Sequence, residues 1–452
     1  MFFKTPQPLA ANLVFPAYEL ISGRRLKKKI QKFECSQWLP REGIDRLQKQ
    51  ALSRLLIHAK KNVPFYRELF ADIGKRDAFT DKEFFRTIPV VAKGDIKRLF
   101  SRLIAENIPR RRQRLNVTSG STSTPMQFYS DFTSLDYKSA ITLRGDRWAG
   151  KEIGTRHARL WGAPNDLSRE KKVVNQLKNI MLNRIWLDSF NLSDRVLQRY
   201  VAILKRNKPT NLIGYATALA AMANYILKND VAGLGIESII SSAEMLMPEQ
   251  RERIEKAFRC RVYDRYGNRE VGPIAVECES GSMHINSDFV KVELLKDNRP
   301  VLPGQIGEIV VTALHSYGMP LIRYNTGDLA IAAPGRNCPC GRQLPVIQDI
   351  IGRKHDILMG LNGNALHGSF FVHLFYKIKG IKQFQVVQDC AQELEISYVP
   401  EKGFNKNTLV EPERKITDAM GGIRVVWRET PAIDPAISGK HRYTISKLGQ
   451  VA

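Results

Sequence analysis

The sequence is short of acid. It carries 45 aspartates and glutamates against 70 lysines and arginines, a formal net charge of +25 over 452 residues. It lacks any stretch approaching the ~20 consecutive apolar residues of a membrane span, which argues against a spanning helix. The opening Met1-Phe2-Phe3-Lys4-Thr5-Pro6 has no charged region, apolar block and small-residue cleavage site, so it does not read as a secretory signal. Cysteine is scarce: six residues in so long a chain do not make a disulfide framework, and a reducing, cytoplasmic setting is expected. There is no internal repeat, no low-complexity tract and no common nucleic-acid module.

What is present exceeds one core. Hydrophobic residues make up 43% of the chain, and single cores rarely grow past ~250–300 residues, so a large part and at least one smaller part are expected. The positive surplus attracts polyanions in general: nucleic acid, anionic lipid or nucleotide phosphates. Its clusters at 24–29 and 110–114 adjoin helical patterns and read as solvated faces, and a nucleic-acid partner is not expected. Residues 10–29 mix Leu13, Val14, Phe15, Leu20 and Ile21 with a basic end. That suits either an interfacial helix in peripheral contact with anionic membrane or a helix packed on the core.

Periodicity sets the coarse layout. Residues 44–70 are helical up to Pro64, and Thr80-Asp81-Lys82-Glu83 starts a helix. Residues 126–129 read as a strand, 197–205 and 217–227 as helices, 236–241 as a strand, 250–258 as a helix and 261–266 as a strand. This alternation predicts a layered α/β fold. After Met283 the pattern becomes β-rich. Residues 349–358 read as a connector, and the last hundred or so residues as a small α+β unit.

The chemical signals begin with Thr118-Ser119-Gly120-Ser121-Thr122-Ser123-Thr124-Pro125. This loop can wrap phosphate oxygens with N–H and hydroxyl donors but lacks the Gly-Lys-Ser/Thr ending of a Walker loop. Four motifs follow in order: Ser242-Ala243-Glu244, Tyr266-Gly267-Asn268-Arg269-Glu270, Tyr324-Asn325-Thr326-Gly327-Asp328 and Gly352-Arg353-Lys354-His355-Asp356. Ser438-Gly439-Lys440-His441-Arg442 closes the series. In their absence from one another each is an ordinary turn, cap or surface lysine; together the series resembles the adenylate-forming superfamily. Val63-Pro64-Phe65-Tyr66-Arg67, Ile88-Pro89-Val90-Val91-Ala92-Lys93 and Cys340-Gly341-Arg342 make it similar to the phenylacetate–CoA ligase branch and its CapK-like relatives in capsular polysaccharide biosynthesis.

The resemblance implies an adenylate-forming domain over 1–352, which binds ATP and acid, and a mobile C-terminal domain over 353–452. It implies an ATP-dependent enzyme that activates a small carboxylic acid as an acyl-adenylate, with CoA or a carrier-protein thiol as acceptor and a role in surface polysaccharide. Thr118, Ser119, Gly120, Ser121 and Thr122 would line the phosphates. Ser242, Ala243 and Glu244 would run beside adenine, with Tyr266 stacked on it and Gly267 next to it in the nucleotide site. Glu270 would hold Mg²⁺, Asp328 the ribose hydroxyls, and Arg353 the ribose and phosphate. Lys440 would complete adenylation, with Lys447 as a nearby competitor for that role. Trp148, Tyr215 and Ala216 would adjoin the acid pocket. Ser123, Arg269 and His355 depart from the usual pattern and favour, as an alternative, a catalytically weak or inactive relative that binds nucleotide or a partner; the net charge of +25 leaves a nucleic-acid or membrane-surface binder as a third reading. Monomer and homodimer both stay open.

One set stands outside that series. Cys278, His284, Cys338 and Cys340 offer three thiolates and one imidazole, a common closed ligand set for structural Zn²⁺; the alternative is a group of unconnected thiols.

Overall fold

In the computed structural model the described residues are 12–13, 15–71, 82–118, 125–162, 179, 182–190, 192–335, 338–353, 357–376, 378, 380–401, 403–434 and 442–448. Their backbone builds a twelve-stranded sheet that is parallel at one end and antiparallel at the other. The parallel strands are His157–Leu160, Arg184–Leu187, Asn211–Gly214, Ser238–Ser242 and Arg261–Asn268. Asn211–Gly214 is buried at every position, as expected where helices cover both faces of a parallel sheet.

One face carries the helices Asp194–Asn207, Ala216–Lys228 and Pro248–Phe258. The first buries Leu197, Tyr200, Val201 and Leu204, the i, i+3, i+4, i+7 stripe of an amphipathic helix. The third starts at Pro248 and is capped by the Gln250 side chain, whose Oε1 accepts from the Met247 N–H at 3.1 Å. On the other face lies the helix Phe132–Trp148. It is fixed at its start by Asp131, whose side chain accepts from the Ser134 N–H at 2.8 Å.

The β-rich part is not a separate sheet. Gly272–Glu277 continues antiparallel from Arg261–Asn268, and Met283–Ile285 follows it. Two residue pairs, Val346↔His284 and Ile347↔Met283, then join it to Val346–Arg353 and so to Tyr324–Ala332, Ile306–Ala313 and Val290–Lys296. This corrects the expected connector. Residues 349–353 finish a strand paired with Tyr324–Ala332, and 357–359 start another; Lys354, His355 and Asp356 lie outside the described residues.

Beyond Ile357 the chain forms a second, four-stranded sheet of Ile381–Cys390, Glu393–Pro400, Arg424–Glu429 and Thr444–Ser446. The helix Val410–Ala419 packs on it, and its core holds Phe371, Phe375, Phe384, Ile396 and Met420. Met247, from the start of Pro248–Phe258, is buried in that same core, so the two parts are in contact.

The basic cluster at 24–29 is tied inward at two of its residues. Arg24 and Lys29 both pair with Asp136 of the helix Phe132–Trp148, Lys29 at 2.9 Å, while Leu13 and Leu20 stay exposed. No helix among the described residues is long and apolar enough to cross a membrane.

The N-terminal helices are fastened to the sheet by a buried ion network. Arg144, fully buried, donates to Asp288 Oδ2 at 2.7 Å, to Asn286 Oδ1 at 2.6 Å and to the Phe33 carbonyl at 3.3 Å. Ser36 Oγ donates to the same carboxylate oxygen of Asp288 at 2.5 Å. Removing the carboxylate strands a guanidinium in the core. Asp288→Ala is expected to cost about 3–5 kcal/mol, read as a lowered thermal midpoint. A midpoint unchanged from the parent would show that the network carries little of the stability.

Candidate active site

The parallel strands end where the antiparallel ones begin, and a cavity of about 2030 Å³ opens at that place. Crevices at the carboxyl ends of parallel strands are where open α/β sheets bind ligands. The cavity is lined by all of the described residues expected at the nucleotide: Thr118, Ser242, Ala243, Glu244, Tyr266, Gly267, Glu270, Asp328 and Arg353. Gly368, Val372, Arg442, Tyr443 and Thr444 of the C-terminal part close one side.

The Tyr266–Glu270 turn is held by its neighbours. Tyr266 donates its hydroxyl to Asp328 Oδ2 at 2.7 Å, and Arg353 Nε stands 3.6 Å from Asp328 Oδ1. Asp328 and Arg353 are directly opposed across their two strands, so the pair follows from register. Tyr266 is half-buried, and desolvation raises its phenol well above the usual range, as does the adjoining Asp328. Glu270 is buried and takes the Tyr324 hydroxyl on Oε1 at 3.2 Å. A strand follows Glu270, not a helix, so it is not a helix cap.

Two lysines that sequence reasoning did not single out stand near Glu270. Lys138 donates to the Glu270 carbonyl at 2.6 Å, and burial pulls its ammonium down to about 8 against the opposing pull of the Glu270 and Asp131 carboxylates. Lys93 lines the cavity and is likewise lowered by burial and raised by Glu270. Lys93 stood in a motif quoted only for resemblance; Lys138 sits on a helix that gave no periodic signal.

The other motifs also find physical roles. Glu244 accepts from the Thr217 N–H at 2.9 Å and hydroxyl at 2.7 Å, which anchors the first turn of Ala216–Lys228 beside the cavity. Ala243 takes φ +71°, a conformation costly for a residue with a Cβ and typical of functional sites. Thr118 exchanges backbone and side-chain hydrogen bonds with Met126, closing the base of the hydroxyl-rich loop at the cavity wall. Ser119, Gly120, Ser121, Thr122 and Ser123 lie outside the described residues, as do Lys440 and His441. Arg269 donates to the Val117 carbonyl at 3.1 Å, at the foot of the same loop. Lys447, the other lysine considered, pairs with Asp389 at 2.6 Å.

Tyr215 lines the cavity and Ala216 is buried beside it, but Trp148 does not belong to the pocket. Its indole N–H donates to Gln37 at 2.8 Å, and its ring packs edge-on against His284, 5.9 Å between centroids. Trp148 ends the helix Phe132–Trp148, which carries the ring past the cavity into the cysteine region.

That region brings Cys278, His284, Cys338 and Cys340 together. Their ligand atoms all lie within 4.8 Å of one another, with Cys278 Sγ 3.6 Å from Cys338 Sγ and Cys340 Sγ 3.3 Å from His284 Nε2. His284 Nδ1 meets the Leu344 carbonyl at 3.0 Å, an arrangement that leaves Nε2 as the free lone pair. The cluster spans the two-pair joint between Met283–Ile285 and Val346–Arg353.

No family model matches the chain. Among curated proteins it is 25% identical over 380 residues to CapK of Staphylococcus aureus, covering 81% of this chain and 80% of that one. It is 26% identical over 335 residues to a phenylacetate-coenzyme A ligase of Thermus thermophilus, covering 71% and 73%. Among solved structures, a 2-hydroxyisobutyryl-CoA ligase in the postadenylation state with 2-HIB-AMP overlaps with a TM-score of 0.72 at 20% identity, over 90% of this chain and 89% of that one. The same ligase in its thioesterification state, with 2-HIB-AMP and CoA, gives 0.59 at 19% identity over 90% and 91%.

Proposed function

Because the chain belongs to the adenylate-forming superfamily, in the branch of phenylacetate–CoA ligase and CapK, we propose that it is an AMP-forming acid–thiol ligase. It activates a small carboxylic acid with ATP and passes the acyl group to CoA or a carrier-protein thiol. The observation that carries this reading is the convergence of Tyr266, Glu270, Asp328 and Arg353 on one cavity at the end of the parallel strands.

In the first step a carboxylate oxygen bonds to the α-phosphorus of ATP and the bond to pyrophosphate breaks. Two anions must meet, so preorganised positive charge has to be present before they do. Lys93, Arg353 and Arg442 line the cavity, and Lys138 stands behind Glu270. Lys440, two residues before Arg442, is the residue proposed to reach the reacting oxygens. Asp328 holds the ribose hydroxyls, exchanging its bond with the Tyr266 hydroxyl for them. Tyr266 and Ala243 flank the base, and the loop from Thr118 to Thr122 receives the phosphates. The buried Glu270 carboxylate is a hard oxygen donor at the cavity wall and fits Mg²⁺, which when bound would neutralise phosphate charge. The better overlap with the postadenylation arrangement of a CoA ligase supports a conformation suited to the first step, with the C-terminal part turning to another face for thiol transfer.

The cysteine cluster is proposed to hold a structural zinc. Two Zn–S bonds of ~2.3 Å at a tetrahedral angle put their sulfurs ~3.8 Å apart, close to the 3.6 Å between Cys278 and Cys338. Four protein ligands leave no open position, so its work would be to brace the joint between the two halves of the sheet.

The function is tested by acid-dependent exchange of labelled pyrophosphate into ATP across aromatic, hydroxy, amino and fatty acids. Exchange is expected with one acid class and is expected to be lost in Lys440→Ala. Asp328→Ala should weaken ATP binding by about tenfold or more, because the ribose hydroxyls would lose their acceptor. ATP binding unchanged in that variant would contradict the site, and exchange with no acid would favour a relative that only binds nucleotide. For the metal, elemental analysis of protein purified without chelator should give about one zinc per chain, lost in Cys338→Ser; a metal-free parent would leave four unligated thiol and imidazole groups.

A further inference from the structure

One wall of the cavity has no part in the nucleotide site just described. Strand register places Arg265, Ser242, Tyr215 and Trp161 in one row across the sheet, and Tyr263, Ile240, Ile213, Arg159 and Trp186 in the next row down. Arg159 is therefore three strands from the strand that carries Tyr266, ~14 Å at ~4.8 Å per strand, and one pleat deeper than the rim residues Trp161 and Tyr215.

Arg159 is enclosed, and among the described residues it has no ion-pair partner. Arg159 lines the cavity, and its guanidinium lies 4.4 Å from the Trp161 ring centroid and 5.8 Å from that of Trp186. Its Nε is buried with no hydrogen-bond partner, and among the described residues no carboxylate stands within ion-pairing distance of it. Indole faces attract a cation but accept none of its N–H bonds in the fork geometry a guanidinium presents.

The surroundings do not neutralise it. Arg265 and Lys151 share the single carboxylate of Asp146, at 2.8 Å and 2.9 Å, and Arg184 rests over Trp186 at 5.0 Å while donating to Asn179. His157 stays neutral there, since burial and Lys151 push it down to about 3. Burial and the like charges of Arg184 and Arg265 pull Arg159 down to about 10, so it remains charged at neutral pH. Leaving a buried cation without acceptors is costly unless a ligand supplies them.

We propose that Arg159, at the far end of the aromatic wall formed by Trp161 and Tyr215, binds a second anionic group of the acid substrate, so that the enzyme takes acids carrying a carboxylate or other oxyanion at both ends. One end meets the α-phosphate beside Tyr266–Glu270, and the other meets the guanidinium. The proposal rests on the ligase reading for the reacting end alone; the anion site itself stands on Arg159.

The test is calorimetric titration of the full-length protein saturated with α,β-methylene ATP, which blocks turnover. The probes are succinate, glutarate, adipate and terephthalate, each against its own monoamide. At least one dianion is expected to bind about tenfold or more tighter than its monoamide. Arg159→Gln should erase that preference, and Arg159→Lys should keep part of it, with affinity for the nucleotide analogue unchanged in both. Equal binding of acid and monoamide, no binding of any dianion, or a preference that survives in Arg159→Gln would overturn the site. Pyrophosphate exchange run alongside separates the two readings. Exchange confined to singly charged acids removes the anion site and leaves the ligase, whereas Arg159-dependent dianion binding without exchange removes the ligase and leaves the anion site.

Discussion

The site depends on how closely two backbones approach at Gly267. A Cβ there would lie 2.3 Å from the Gly272 carbonyl oxygen and 2.9 Å from the Pro273 Cα, distances no side chain tolerates. Register slips at the same place, between Tyr266 and Gly267, as the parallel pairing of Arg261–Asn268 with its inner neighbour gives way to antiparallel pairing with Gly272–Glu277. The tight return folds Tyr266 toward Asp328 and Glu270 toward Tyr324. Everything proposed for the nucleotide hangs on this turn, because its residues come from one short piece of chain while Asp328 and Arg353 come from strands far along the antiparallel half.

Within the antiparallel half, two residue pairs among the described residues join Met283–Ile285 to Val346–Arg353, and the cysteine–histidine cluster stands over them. Arg342 adds to the brace. It donates to Gln37 and Glu279 and stacks on Trp38 and Trp148, which links the joint to the N-terminal helices. The strain at Ala243 and the closeness at Gly267 are thus borne by a scaffold anchored on both sides.

Much of this was legible in the sequence where burial is apolar. The helices around 197–205, 217–227 and 250–258 and the strands at 236–241 and 261–266 all stand close to their expected places, because their buried faces are leucine, isoleucine, valine and alanine. The helix Phe132–Trp148 was not legible. It buries Ser134, Asp136, Arg144 and Asp146, so no hydrophobic period marks it, and its lysine beside Glu270 was missed with it. The strands His157–Leu160 and Arg184–Leu187 were missed for the same reason, since each carries an arginine that only the folded surroundings explain. The connector was drawn too long because charged and glycine residues at 349–353 read as loop, whereas Arg353 is held in a strand opposite Asp328. Of the cavity, the ordered motifs and Tyr215 were legible as wall residues; the wall of Arg159 and Trp161, assembled from separate strands, became visible only in three dimensions.

The central claim is that a carboxylate oxygen of the acid becomes bonded to the α-phosphorus of ATP. Turnover with an acid whose carboxylate carries heavy oxygen, followed by mass spectrometry of the nucleotide released, tests it most directly. The account predicts that one labelled oxygen is found in AMP and none in pyrophosphate. Label that stays wholly with the acid product or appears in inorganic phosphate would contradict adenylation and point to a different activation of the acid.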